Sequence, residues 1–321
     1  MIDADFERKL GSSPKVEKRR GKIAALAAAL QRAPKVPLLR SRGVWFSTTQ
    51  TDATMAKGVA RAQLNGIELG ELRLNSSAYE LHPSKKMAPY TKEQGLCPPP
   101  WQWSHNRKHG EAIRTFLKSC KHHPRAKKDN EREIQWQLAA ALEAGRKVTA
   151  LRNLRPVTWN GLYTEIGVAV NRTGKIGDGT IDLIVRRRGG FLLFELKRPG
   201  ETEVEEALWQ VLRYANTFCF EANAGDENNR RNYRKVLGSS GSGKLRIGAV
   251  VVMEDDKLGK VRDAARKLLD DYWSNPGGSK IDRIGMLLYK FDREKRNVSS
   301  WEWLPRWDGR YLPLPTKLAQ T

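Results

Sequence analysis

A mixed α/β fold, with one β-sheet covered by helices on both faces, is what this sequence predicts. Three observations carry that reading. Beyond residue 130, apolar strand-like runs alternate with segments of helical period. The runs FLLFEL, GAVVV and GMLLYKF are almost continuously apolar, as strands buried on both faces must be. Finally, IDLIVRRRGGFLLFELK, Ile181 to Lys197, reads as two apolar strands joined by an Arg-Gly-Gly turn.

In chain order, a helix is expected around Gly21–Gln31 (GKIAALAAALQ), ended by Pro34 and Pro37. Gly43 to Leu74 shows weak alternation, with IELGELRL read as short strands or a hairpin. Ser76–Trp103, rich in Pro, Lys and Ser, reads as surface or linker, and His105–Lys128 is crowded with histidine and lysine. Helix Glu131–Ala144 sets Ile134, Leu138, Ala141 and Leu142 on one stripe, with Gly145 as its stop. Leu162–Val170 alternates as a strand. After the hairpin, Thr202-Glu203-Val204-Glu205 reads as a capping box. The helix it opens carries Val204, Leu208, Val211 and Ala215 toward the core. Gly225–Gly243 reads as a surface excursion. LRIGAVVV is then a buried strand, KLGKVRDAARKLLDDYW an amphipathic helix and DRIGMLLYKF a last strand. The Trp- and Pro-rich tail from Ser300 is compatible with packing on the fold or with a partner contact. The expected division is a basic N-terminal region, 1–125, and an α/β domain with the tail, 126–321.

The formal charge is +22 over 321 residues. Residues 1–130 hold 25 Lys and Arg against 11 Asp and Glu; the remainder holds 33 against 25. Such a field attracts polyanions, and nucleic acid is the commonest polyanion partner for a protein of this size. A merely soluble basic chain is the plainer alternative. Three scattered cysteines make no disulfide framework, and no apolar run approaches a membrane span. MIDADFERKL lacks the apolar stretch of a secretion signal. A cytoplasmic or nucleoid-associated protein that does not engage membranes is expected.

The hairpin concentrates the chemistry. Glu195 and Lys197, two apart on a strand, share a face. If Arg188-Gly189 forms the loop, Asp182 lies opposite Glu195; if Gly189-Gly190 does, it lies opposite Lys197. Either register gathers all three groups on one side. Two carboxylates and an ammonium at the end of an apolar ribbon suit a divalent ion beside a water molecule. A surface ion cluster is the alternative, but charges amid FLLFEL are costly without compensation. On the following helix, Gln210 and Tyr214 share a face able to look toward the strand end.

Asp182, twelve intervening residues, and Glu195-Leu196-Lys197 resemble the signature of the PD-(D/E)xK nucleases, the restriction-endonuclease-like superfamily. The order helix, strand, hairpin, helix, strand fits it from about Asn130 to Phe291. Gln210 and Tyr214 reproduce the Q-x-x-x-Y pattern of a branch resembling RecB-type and NucS-like nucleases. Ile181 stands where a proline is expected, at a position where the family varies freely.

The resemblance implies a restriction-endonuclease-like core and a DNA endonuclease of restriction, anti-phage defence or repair type. It implies magnesium, with manganese able to substitute, held by Asp182, Glu195 and the Leu196 carbonyl. Lys197 would orient the attacking water and Gln210 would position that water or the phosphate. Glu131 and Glu165 compete as accessory carboxylate; Glu131 also reads as an ordinary first-turn acid. Arg186, Arg187 and Arg188 and the basic N-terminal portion, including Lys121, Lys127 and Lys128, are the expected docking surface. DNA is favoured over RNA by the resemblance alone, and many members of the superfamily act as homodimers. Two other readings stand beside this one: a structure-specific nuclease for branches or ends, and a nucleic-acid-binding protein that does not cleave.

Two further motifs have plainer readings. Gly238-Ser-Ser-Gly-Ser-Gly243-Lys244 mimics a phosphate loop, but Leu245 replaces the Ser or Thr and a strand follows; it reads as a flexible loop. Cys97, His105, His109 and Cys120 could ligate zinc, but their spacing matches no common finger, and a basic DNA-facing loop is favoured.

Overall fold

The protein is seen in a computed structural model. It describes residues 4–32, 44–48, 59–64, 67–74, 79–85, 87, 95–102, 111–116, 131–144, 148–159, 162–164, 166–224, 226–240, 243–256, 259–274 and 281–304. Two helices open the chain, α1 (Ala4–Gly11) and α2 (Pro14–Arg32). Strands β1 (Val44–Thr48), β2 (Val59–Leu64), β3 (Ile67–Leu74), β4 (Tyr79–Pro83) and β5 (Trp101–Gln102) follow. After α3 (Glu131–Ala144) come β6 (Arg155–Pro156), β7 (Thr158–Trp159), β8 (Leu162–Thr164) and β9 (Ile166–Val170). Next are β10 (Ile176–Ile181), β11 (Leu183–Arg187), β12 (Gly190–Leu196), α4 (Val204–Asn223) and α5 (Glu227–Leu237). The described chain ends with β13 (Ile247–Glu254), α6 (Lys260–Ser274), β14 (Arg283–Asp292) and β15 (Asn297–Leu304).

The protein is mixed α/β, with a curled mixed sheet flanked by helices. Six strands run in the order β15-β14-β13-β12-β11-β6. β12, β13 and β14 are mutually parallel, while β11 and β15 run antiparallel to their neighbours. One face carries Ile184, Leu193, Ala249, Val251, Met286 and Leu288 into a core shared with α4 and α6. The other carries Leu183, Leu192, Phe194, Val250 and Leu287 against Ile134, Leu138 and Leu142 of α3. Alternate residues of each strand thus enter different cores, which explains the unbroken apolar runs. β9 and β10 form a separate ribbon packed on α4, and a seven-stranded sheet runs β5-β4-β3-β2-β1-β8-β7.

Several sequence expectations are revised. Leu162–Val170 is two strands in two different sheets, because β8 joins β7 and β1 while β9 joins β10. Ser76–Trp103, read as surface, contributes β4 and β5 to the seven-stranded sheet. The excursion Gly225–Gly243 contains α5: Asp226 caps its start by accepting from Asn229 N at 2.7 Å, and Tyr233, Val236 and Leu237 are buried. One buried turn in a polar helix is too little periodicity to read from sequence. The capping box at α4 is not formed. The helix begins at Val204 after Glu203, which makes no side-chain cap bond, and the Val204 amide is taken by the Thr202 carbonyl at 2.9 Å. The tail residues Trp301 and Trp303 belong to β15, with Trp303 buried. β1 pairs with β8, and α2 packs on α5 and β9.

Glu221 of α4 is fully buried where α4, α5 and β9 meet. It accepts from the Ala169 amide at 2.9 Å and the Tyr233 hydroxyl at 3.1 Å. Burial pushes its carboxyl up to about 7. Between the ordinary carboxyl range and pH 7 the folded chain then holds a proton that the unfolded chain has released, so stability falls as pH rises through that window. Glu221→Gln is expected to reduce the loss of stability between pH 5 and pH 8 by roughly half, because Glu195 titrates in the same range. Urea denaturation at the two pH values checks this.

Candidate functional site

The site is built where one ladder stops. β11 and β12 pair from Arg187↔Gly190 to Leu183↔Phe194, so Arg188-Gly189 is the two-residue loop, with Gly189 at φ 77°. Continuing that register sets Asp182 opposite Glu195 and Ile181 opposite Leu196. Ile181, however, pairs instead with Ile166 of β9. Asp182 is the hinge residue between the two pairings, and its Oδ2 accepts from the Leu196 amide at 2.8 Å. In an antiparallel hydrogen-bonded pair a residue directs both N–H and C=O to its partner strand. The Leu196 carbonyl therefore lies on the same edge as Asp182.

Glu195 and Lys197 have the parity of Leu193, so both project on the α4 face of the sheet. Their neighbours there are Gln210 and Tyr214, one helical turn apart. Lys197 Nζ donates to Glu195 Oε1 at 3.1 Å and to Gln210 Oε1 at 2.8 Å. Gln210 Nε2 donates to Glu195 Oε1 at 2.6 Å and to the Tyr214 hydroxyl at 3.3 Å. Asp182, Glu195, Lys197, Gln210 and Tyr214 thus converge on one side of one strand end. Burial, aided by the charges of Glu195 and Asp182, raises the Tyr214 phenol to about 12.

Glu195 is only 5% exposed, and its Oε2 is buried without a hydrogen-bond partner. Burial pushes its carboxyl up to about 7 against the opposing pull of the Lys197 ammonium, and the nearby charge of Glu131 raises it further. Glu131, at the start of α3, therefore lies within electrostatic reach of the site. Lys197 keeps 17% of its side chain open to solvent.

The donor set fits a hard divalent cation. Two carboxylates and a main-chain oxygen lie at one edge, and one carboxylate oxygen is desolvated with no partner of its own. Among the described residues no group of three His, Cys, Asp or Glu side chains forms a metal cluster. Asp182, Glu195 and the Leu196 carbonyl are the groups that could hold a cation here.

Residues not singled out from sequence complete the support. Gln135 of α3 donates its amide to the Asp182 carbonyl. The Tyr289 hydroxyl of β14 donates to the Lys197 carbonyl at 2.9 Å, and the Lys197 amide to the Val252 carbonyl at 2.9 Å. Gly179 lets β10 lie directly on Tyr214. Gln135 and Tyr289 sit in patterns that read as ordinary helix and strand; Gly179, a glycine inside a strand, is the one with a sequence signal.

The remaining predicted residues lie elsewhere. Arg186 and Arg187 end β11 and Arg188 lies in the turn, at the other end of the hairpin from the centre. Arg186 Nη2 donates to the Leu237 and Gly238 carbonyls, both at 2.7 Å, and Arg187 is buried against Asp282. Arg188 is exposed at the turn. Cys97 is half-buried, and its carbonyl accepts from the Trp101 indole at 2.8 Å. His105, His109, Cys120, Lys121, Lys127, Lys128 and Glu165 lie outside the described residues.

A Cβ at Gly179 would stand 2.2 Å from the Val170 carbonyl oxygen and 2.8 Å from the Tyr214 ring. Gly179→Ala is therefore expected to destabilise the chain by about 1–3 kcal/mol. Gly21→Ala, in α2, where a Cβ meets nothing within 4 Å, is expected to stabilise by up to about 1 kcal/mol. Chemical denaturation of the two variants beside the parent chain checks both signs.

Comparison with protein-family models, with curated proteins and with solved structures gives no match to this chain.

Proposed function

We propose that this chain is a magnesium-dependent phosphodiesterase that cuts DNA internally, a nuclease built on a restriction-endonuclease-like core. The observation that carries the reading is the union of Glu195, Lys197 and Gln210 by hydrogen bonds beside Asp182, with Glu195 Oε2 buried and unpartnered. The order α3, hairpin β11–β12, α4, β13 supports the same superfamily. The charge of +22 suits a polyanionic partner. Among the described residues no helix is long and apolar enough to cross a membrane. We place the activity in the cytoplasm, on DNA of the restriction, defence or repair kind.

Asp182, Glu195 and the Leu196 carbonyl would hold magnesium or manganese. The bound ion supplies a Lewis acid for a phosphate oxygen and lowers the pKa of a bound water. Lys197 presents the one ammonium of this network, set to orient a water and to stabilise charge developing on the phosphate. Its hydrogen bond to Gln210 holds it toward Glu195 rather than solvent. Gln210 also keeps one Glu195 oxygen occupied, which leaves Oε2 as the free donor. Asp182 has one oxygen committed to the Leu196 amide, and that bond fixes its direction.

Incubation with plasmid and with branched substrates, in magnesium or EDTA, tests the reading. Cleavage that needs magnesium and falls at least about 100-fold in Lys197→Ala and Asp182→Asn is expected. Binding to DNA in EDTA should survive both substitutions. Unchanged cleavage in Lys197→Ala would sink the site assignment. Cleavage confined to the branched substrates would identify a structure-specific enzyme, and binding without cleavage a non-catalytic one.

A further inference from the structure

The opposite end of the β12 strand holds a second feature. An open groove of about 320 Å³ lies between the β11–β12 turn, the end of α5 and the approach to β13. Arg186, Arg187, Arg234, Lys244 and Arg246 line it, and no acidic residue among the described residues does. Asp282 stands behind this wall, paired with both Arg187 and Arg246. One carboxylate is thereby shared between two guanidiniums.

The backbone explains why the cations gather. Gly238 takes the left-handed conformation that ends α5, with its amide and that of Ser239 bonded to the Lys235 and Arg234 carbonyls at 3.0 and 2.8 Å. This stop turns the chain back toward the hairpin. Arg186 then binds the last carbonyls of α5, and its guanidinium lies over the Phe191 ring, 5.9 Å from the centroid. Gly190 permits the close approach of Arg246, since a Cβ there would stand 2.5 Å from the Arg246 carbonyl. Arg234 reaches the groove from the last turn of α5, and its Nη2 is buried with no acceptor. A desolvated guanidinium nitrogen without an acceptor costs stability unless a ligand provides one.

We infer that this groove is a phosphate-binding site, separate from the Asp182–Glu195–Lys197 centre and lying at the far end of the same strand. The ligand is a phosphate oxyanion, carried by a polynucleotide backbone or by a free phosphate compound. The chemistry fits: arginines present N–H forks that match phosphate oxygens, and Lys244 adds a point charge. Gly190 and Phe191 of β12 line the groove and Glu195 and Leu196 belong to the centre; the four residue steps from Phe191 to Glu195 span about 13 Å at the usual rise. Gly238, Ser239, Ser240 and Gly243, from the segment after α5, line the same groove.

Binding measured in EDTA tests this independently of the proposed hydrolysis, because no cleavage is needed for the readout. The full chain is titrated with a labelled 20-base-pair duplex over a range of salt, and with inorganic phosphate by calorimetry. Arg234→Gln combined with Lys244→Glu is expected to weaken duplex binding at least tenfold and to make the log–log salt dependence shallower by about two. Lys244→Glu alone, at an exposed side chain, carries the same test with a smaller loss should the double variant fold poorly. Loss of inorganic phosphate binding with duplex binding intact would identify a free phosphate compound as the source. Duplex and phosphate binding both unchanged in variants that melt like the parent would overturn the site.

Discussion

The arrangement of this protein's candidate centre depends on one hydrogen bond, from the Leu196 amide to the Asp182 carboxylate. The chain can pair Ile181 with β12 or with β9, and it pairs it with β9. That choice leaves the Leu196 amide without a strand partner on the β11 side, although Leu196 is paired with Val252 of β13 on the other. An unpartnered buried amide costs about 1–3 kcal/mol, so the side chain of the hinge residue takes its place. Asp182 is held from the other side by Gln135, which fixes its carbonyl. A strand edge that would ordinarily be covered thereby becomes a place where a carboxylate and a main-chain oxygen meet.

The second constraint is the Glu195 carboxylate. It sits among the apolar side chains of a strand that is buried on both faces, where desolvation opposes ionisation. Lys197 alone does not restore an ordinary carboxyl pKa. Gln210 is the residue that makes the pair workable, because an amide carries both a donor and an acceptor. Its nitrogen serves Glu195 and its oxygen serves Lys197. A glutamate there would repel Glu195, and a lysine would repel Lys197. Only a neutral group with both polarities can stand between an acid and an amine without upsetting either.

Much of this was legible beforehand, for reasons that differ by residue. The shared face of Glu195 and Lys197 follows from the two-residue period of a strand, and the reach of Gln210 and Tyr214 follows from one helical turn. Both are local. The sequence leaves the register of the hairpin open between two loops, and the pairing of Arg187 with Gly190 fixes Arg188-Gly189 as the one adopted. What was not legible is non-local: which strand Ile181 would pair with, that Leu162–Val170 would divide between two sheets, and that Gln135 and Tyr289 would brace the site. Periodicity says which face a residue occupies, not which distant backbone will arrive there. The Arg186–Arg188 run shows the converse. Three consecutive arginines suggest a uniform basic surface, yet alternation sends Arg187 into the protein against Asp282 while its neighbours face outward.

The two ends of β12 are opposite in character for a structural reason. At its C-terminal end the ladder is interrupted, so side-chain carboxylates replace main-chain partners and acidic oxygen accumulates. At its N-terminal end the ladder closes in a tight turn beside the C-terminus of α5, whose exposed carbonyls carry negative partial charge. Cations are drawn there, and Arg186 is bonded to those carbonyls. Arg186, Arg187, Arg234, Lys244 and Arg246 outnumber what one helix end and Asp282 can neutralise. The surplus is positive at one end of the strand, while a desolvated carboxylate oxygen stands at the other. A single extended polyanion bridging the two would be held by charge at the first and would present a phosphodiester to the second.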